Sequence, residues 1–177
     1  WTLNGKFGGA LDFNGSADYV ERTDTASLDF SGAFSMSYWA KFDNVSTEQW
    51  LVSKGGGWGR LGFFSTIGIS SGTLRFGMGN GTGEVQADNG GFTTGTWYHL
   101  VMTYDGSTMR VYSNGVLLPT TNTNSYNYVN NYPVRIGGSD GPSALQFDGL
   151  IDEVKIYPFA LTPAEIKQEY NRGAAMV

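Results

Sequence analysis

The chain has 177 residues, with 26 Gly, 5 Pro and no Cys, and carries 16 acidic against 11 basic residues for a formal net charge of -5. The length suits one domain, residues 1–177, with a full-sized core. The acidic balance, with no basic run, excludes a partner bound through nucleic-acid phosphates, and the missing cysteines exclude disulfides, thiolate metal sites and Cys nucleophiles. Glycine stands at about twice its usual frequency of roughly 7 %, yet 40 % hydrophobic and 15 % aromatic content exclude a disordered or collagen-like chain. No stretch approaches the roughly 20 apolar residues of a membrane span, so no membrane insertion is expected. The opening Trp1-Thr2-Leu3-Asn4-Gly5 reads as a module cut from a longer protein, whose other domains would be its neighbours.

Short apolar or alternating runs recur about every dozen residues between Gly, Asn, Asp and Ser clusters, which predicts an all-β sandwich or barrel. The predicted strands cover residues 10–14, 17–21, 33–42, 50–54, 61–65, 73–77, 84–87, 97–104, 108–113, 116–118, 133–137 and 145–157, the last with a bend. In the third, Phe34, Met36, Tyr38, Ala40 and Phe42 share one face, the predicted core face, while Ser35, Ser37, Trp39 and Lys41 share the other. Asp105-Gly106 and Asn114-Gly115 close two successive hairpins, so residues 97–118 read as a three-strand meander. His99 lies mid-strand there and reads as a packing residue of the sheet. Residues 54–59 read as the most flexible segment and 119–131 as the longest irregular one. Finally, Thr162-Pro163-Ala164-Glu165 predicts a capping box opening a short helix, with Ile166 and Tyr170 on its packed face and Gly173 at its end.

Six motifs then occur in a familiar order: Gly8-Gly9-Ala10-Leu11-Asp12-Phe13-Asn14-Gly15 with Asp18-Tyr19-Val20, residues 34–41, Trp97-Tyr98-His99-Leu100-Val101-Met102-Thr103-Tyr104-Asp105-Gly106, Val111-Tyr112-Ser113-Asn114-Gly115, Phe147-Asp148-Gly149-Leu150-Ile151-Asp152-Glu153-Val154-Lys155-Ile156-Tyr157, and Leu161-Thr162-Pro163-Ala164-Glu165-Ile166. Together they resemble the laminin-G-like, concanavalin A-like jelly-roll family, in its bacterial branch of secreted multidomain proteins. The resemblance implies a two-sheet antiparallel jelly-roll sandwich with a short C-terminal helix, and a secreted or cell-surface setting. It also implies a structural calcium ion, with Asp152 giving its carboxylate, Asn14 an amide or carbonyl oxygen, and Gly32, in the loop before the strand of Phe34, a carbonyl. Asn14 stands where the family usually has Asp, which removes one charge from that set.

Catalysis is not expected. Glycoside hydrolysis needs two carboxylates flanking one bond, but Asp152 and Glu153 are neighbours and point to opposite faces of a regular strand. A single histidine leaves no multi-His metal site. Aromatic residues outside the core carry the binding expectation, because sugar rings stack on Trp and Tyr while their hydroxyls need polar partners. Trp58 and Arg60 lie in a glycine-rich loop, Tyr126, Tyr128 and Tyr132 alternate with Asn, and Asp140 lies in a third loop. These residues are the expected contacts to a glycan, polysaccharide or surface glycoprotein; the alternative is that the aromatics fold back to shield the core. Trp39, Lys41, Arg110 and Tyr112 share the non-core parity of their strands and form a second candidate groove. The expected function is thus a non-catalytic, lectin-like module, the alternative being a protein-adhesion module or a structural spacer.

Overall fold

The computed structural model describes residues 1–55, 62–79, 84–123, 130–140 and 145–172. In chain order the strands are β1 (Leu11–Asn14), β2 (Val20–Arg22), β3 (Phe34–Phe42), β4 (Gln49–Lys54), β5 (Gly62–Ile67), β6 (Leu74–Gly79), β7 (Glu84–Asn89), β8 (Trp97–Tyr104), β9 (Thr108–Ser113), β10 (Val116–Leu117), β11 (Asn122–Thr123), β12 (Val134–Ile136) and β13 (Asp148–Tyr157), followed by helix α1 (Pro163–Asn171). Seven strands form one sheet in the order β1-β13-β3-β8-β9-β10, with β11 also on β9, and six form the other, β2-β12-β4-β5-β6-β7. The early strands β1 and β2 each pair with a late one, β13 and β12, both antiparallel. This wrapping is the jelly-roll sandwich that the sequence motifs imply. β11 falls inside the stretch read from sequence as irregular.

The period of two places Phe34, Met36, Tyr38, Ala40 and Phe42 in the core, against Phe63, Ile67, Leu74, Phe76 and Met78 of the other sheet. Tyr38 meets Phe76 with ring centroids 6.1 Å apart, and Phe34 meets Phe63 at 5.3 Å, so these rings join the two layers. The meander β8-β9-β10 pairs as predicted. Its turn holds Asn114 at φ 52° and Gly115 at φ 76°, the left-handed geometry that an Asn-Gly hairpin accommodates.

Ser35, Ser37 and Trp39 are buried as well, because α1 and the N-terminal segment cover this outer face of the seven-stranded sheet. Ser35 Oγ donates to the Phe159 carbonyl and accepts from the Leu161 N–H, fastening the approach to the helix. The capping box is complete: Thr162 Oγ1 accepts from the Glu165 N–H, and Glu165 accepts from the Thr162 N–H. Leu161 and Ile166 then pack on Val101 and Tyr112 in a second apolar cluster, and Tyr170 stacks on Trp39 at 5.7 Å. Gly173 lies outside the described residues. No helix is long and apolar enough to cross a membrane among the described residues.

Candidate functional site

Among the described residues no helix lies over the outer face of the six-stranded sheet. Cross-strand register assembles that face in two rows. One row runs Glu21, Arg135, Ser53, Phe64, Gly77, Gln86; the other runs Trp50, Thr66, Arg75, Asp88. Trp50 and Phe64 lie with ring centroids 5.1 Å apart and are 3 % and 0 % exposed, so they form a buried aromatic floor beneath the face and not an open stacking surface. Gly77 is required beneath it, because a Cβ there would come within 2.2 Å of the Phe64 ring.

Charged pairs stand at both sides of this floor. The Arg75 guanidinium binds Asp88 through two parallel hydrogen bonds of 2.5 Å. On the other side Arg135 donates from Nε to Glu21 Oε2 at 2.8 Å and from Nη1 to the Ser139 carbonyl at 2.6 Å, and its Nη2 pairs with Asp140 Oδ1 at 3.0 Å. The same guanidinium carbon lies 4.5 Å over the ring of Tyr19, which is 46 % exposed. Asp140 is therefore brought into a cluster that the sequence reading lacked. Tyr19, Glu21 and Arg135 escaped it because their meeting depends on β2 pairing with β12 more than a hundred residues on.

Within this floor, Trp50 Nε1, Thr66 Oγ1 and the nearby Gln146 Oε1 are buried with no hydrogen-bond partner among the described residues. A buried hydroxyl left without a partner costs about 1–3 kcal/mol. Thr66→Val, which deletes that hydroxyl at nearly constant shape, is accordingly expected to raise stability by about 1 kcal/mol, read as a higher urea midpoint at unchanged slope. A lower midpoint would show that the hydroxyl has a partner.

Four nominated ligand contacts, Trp58, Arg60, Tyr126 and Tyr128, lie outside the described residues. The described stems of their two segments do meet: Lys54 Nζ reaches the Asn130 carbonyl at 2.7 Å and Asn130 Oδ1 at 3.0 Å. Lys54 is only 2 % exposed and held on all sides, contrary to its reading as part of a flexible segment, and residues 56–59 of that segment lie outside the described residues.

Asp152, Asn14 and Gly32 do not converge into one metal site. Asn14 pairs with Asp148, four positions along β13 from Asp152, a separation of about 13 Å at the usual rise per strand residue. Gly32 precedes β3 by two residues, whereas Asp152 pairs with Trp39, seven positions on and about 23 Å away along an extended chain. The carboxylate of Asp152 accepts the Phe7 N–H at 3.0 Å and the Glu153 N–H at 2.8 Å, and Asn14 Oδ1 accepts the N–H groups of Ser16 and Ala17. No group of three or more His, Asp or Glu side chains is placed to hold a metal ion among the described residues.

The second candidate groove is not open. Tyr112 lies beneath Leu161 and Ile166, and Trp39, 4 % exposed, is enclosed by Phe7, His99 and Tyr170, with Lys6 Nζ 4.4 Å over its ring. Beside it, Ser37 Oγ lies 3.1 Å from His99 Nε2 and donates to Glu169 Oε2 at 3.0 Å. These are the residue types of a nucleophilic triad, but the order differs. The single hydroxyl proton is spent on Glu169, so Ser37 must accept from His99 Nε2–H and His99 cannot serve as its base. Burial holds His99 neutral, pushing its pKa down to about 4 despite the Glu169 charge, and the buried Nδ1 has no hydrogen-bond partner among the described residues.

A two-sheet jelly roll whose six-stranded face carries partly exposed guanidinium–carboxylate pairs is a binding-module type of β-sandwich. The family profile of the concanavalin A-like lectin/glucanases superfamily matches residues 14–167, and the chain belongs to that family. No curated protein matches it. Among solved structures, domain 4 of AbnA, a GH43 extracellular arabinanase from Geobacillus stearothermophilus in complex with arabinotriose, is similar at 25 % identity and a TM-score of 0.75, over 93 % of this chain and 78 % of that one. The binding domain of Paraclostridial Mosquitocidal Protein 1 is similar at 19 % identity and a TM-score of 0.76, over 95 % of this chain and 44 % of that one. The binding domain of botulinum neurotoxin DC, solved with rat synaptotagmin II, is similar at 18 % identity and a TM-score of 0.75, over 96 % and 44 %. The chain thus spans less than half the length of these toxin domains, whose likeness is one of fold.

Proposed function

We propose that the chain is a carbohydrate-binding module that performs no chemistry of its own, works outside the cell, and meets its glycan on the outer face of the six-stranded sheet. The observation that carries this reading is the placement on one face of two partly exposed guanidinium–carboxylate pairs, Arg75–Asp88 on one side and Arg135–Asp140 on the other, over the buried Trp50–Phe64 layer. Each sugar hydroxyl both donates and accepts, and such pairs offer both partners in fixed geometry. The arabinanase domain supports the reading as a relative solved with a neutral oligosaccharide. Trp58, Arg60, Tyr126 and Tyr128 are retained in this proposal as the stackers and hydrogen-bonders that would complete the face.

Titration calorimetry with arabinotriose, followed by a glycan array, tests the proposal. Binding is expected to weaken about tenfold in Asp88→Asn and in Asp140→Asn, the loss of roughly one charge-assisted hydrogen bond. In Trp58→Ala it is expected to vanish at unchanged melting temperature. No heat with any glycan at millimolar concentration would overturn the reading and favour a protein ligand or a spacer.

A further inference from the structure

The opposite sheet carries a separate cavity of about 260 Å³ where the N-terminal segment, β13 and the end of α1 converge. Its construction begins at an irregularity in β13. Asp152 pairs with Trp39 and Lys155 with Ser37, so two residues, Glu153 and Val154, stand against one, and the strand bulges. Glu153 sits at φ 53°, a left-handed conformation that is uncommon outside glycine and that collects at functional sites. Asp152 holds this arrangement from both sides. One carboxylate oxygen takes the N–H of the strained Glu153 and the other takes the N–H of Phe7, the residue that forms the neighbouring wall. The carboxylate nominated for calcium is therefore a clamp that shapes the cavity.

The lining then limits the ligand. Two carboxylates, Glu153 and Glu169, face two cations, Lys155 and Arg172. Lys155 Nζ lies 3.2 Å from Glu153 and 3.7 Å from Glu169. With His99 neutral, the lining carries no net charge, so it favours neither an anion nor a cation, yet it presents both donors and acceptors. Phe7, packed edge-on against Trp39 at 5.7 Å, supplies apolar surface. The volume lies below the roughly 300–1,000 Å³ of sites for drug-sized ligands, which suits one ring and not a chain.

We propose that this cavity is a second ligand site, which takes a single neutral sugar ring or a polyol of that size through Glu153 and Arg172 as hydrogen-bonding walls and Phe7 as the apolar contact. The inference does not rest on the glycan reading of the six-stranded face. Nuclear magnetic resonance titration of the full chain with methyl glycosides of neutral pentoses and hexoses tests it, with glucuronate and glucosamine as charged controls. Neutral glycosides are expected to shift the backbone amides of Phe7, Glu153 and Arg172. Affinity should fall at least about tenfold for both charged sugars, and by the same factor in Glu153→Gln and Arg172→Ala, while Asp88→Asn and Asp140→Asn leave it unchanged. Absence of shifts at these three nuclei with every neutral glycoside would overturn the proposal, as would undiminished binding in both cavity variants or tighter binding of a charged sugar. Shifts confined to the six-stranded sheet would overturn it while leaving the reading of that face intact.

Discussion

Replacing Lys54 by Met is expected to lower the melting temperature by roughly 10 °C, the consequence of about 3–5 kcal/mol lost when one member of a buried charge cluster is removed. Lys54 Nζ is met by Asp24 Oδ1 at 2.7 Å, Asp29 Oδ1 at 2.8 Å, and the backbone and side-chain oxygens of Asn130 at 2.7 and 3.0 Å. Its side chain is 3 % exposed, against 25 % for Asp24 and 17 % for Asp29. Four oxygens around one ammonium satisfy its three protons, and the methionine variant would leave two carboxylates and a carbonyl facing an apolar chain end. Lys54→Arg is not expected to rescue it, because a planar fork does not fit acceptors gathered around a point charge. The local backbone is equally constrained: Gly62 has φ 86°, and a Cβ there would fall 1.7 Å from the Lys54 carbonyl oxygen. Asp24→Asn should cost less, about 1 kcal/mol, since that carboxylate is partly solvated. Thermal melts of the three variants decide the matter, and a loss below about 2 °C in Lys54→Met would show that the cluster contributes little.

How far the sequence revealed these features depends on the range of the interaction concerned. The alternation of Phe34, Met36, Tyr38, Ala40 and Phe42 and the Asn114-Gly115 turn are local, and both appear in the fold where the pattern places them. The capping box at Thr162 and Glu165 is local too, and it forms. What α1 covers is not local. Nothing in its own residues says that Ile166 will meet Val101 and Tyr112, so Trp39 and Tyr112 read as a groove although the helix lies over them. The bulge after Asp152 likewise defeats strand parity, and with it the inference that Asp152 and Glu153 simply alternate between faces. Lys54 looked like the start of a mobile loop because its anions, Asp24 and Asp29, arrive from a segment 25 or more residues earlier. Asp140 was legible only as an exposed acid in a loop; its partner Arg135 gives it a place on a sheet face.

Acidification from pH 7.5 to pH 4.5 is expected to remove about 2–3 kcal/mol of stability through His99 alone. Burial, the largest influence, lowers the pKa of this imidazole from 6.5 to about 4; the Glu169 charge raises it and Lys155 lowers it again. As pH falls below 6.5 the unfolded chain takes up a proton at this position while the folded chain does not. The unfolded state is therefore favoured progressively until about pH 4, where the folded form protonates as well and the dependence on this group ends. The groups that face His99 are Ser37 on β3, Lys155 on β13, and Glu169 and Tyr170 on α1, so its charging would place a cation between a stacked ring and a network already holding one ammonium. Other carboxylates also titrate in this range, and a variant isolates the histidine. His99→Phe keeps a ring between Trp39 and Tyr170 but cannot take a proton, so its stability should fall by about 2–3 kcal/mol less than that of the parent chain over the same interval. Urea denaturation of both proteins at the two pH values measures the difference. Parallel losses would show that the imidazole is protonated as readily in the folded chain as in the unfolded one.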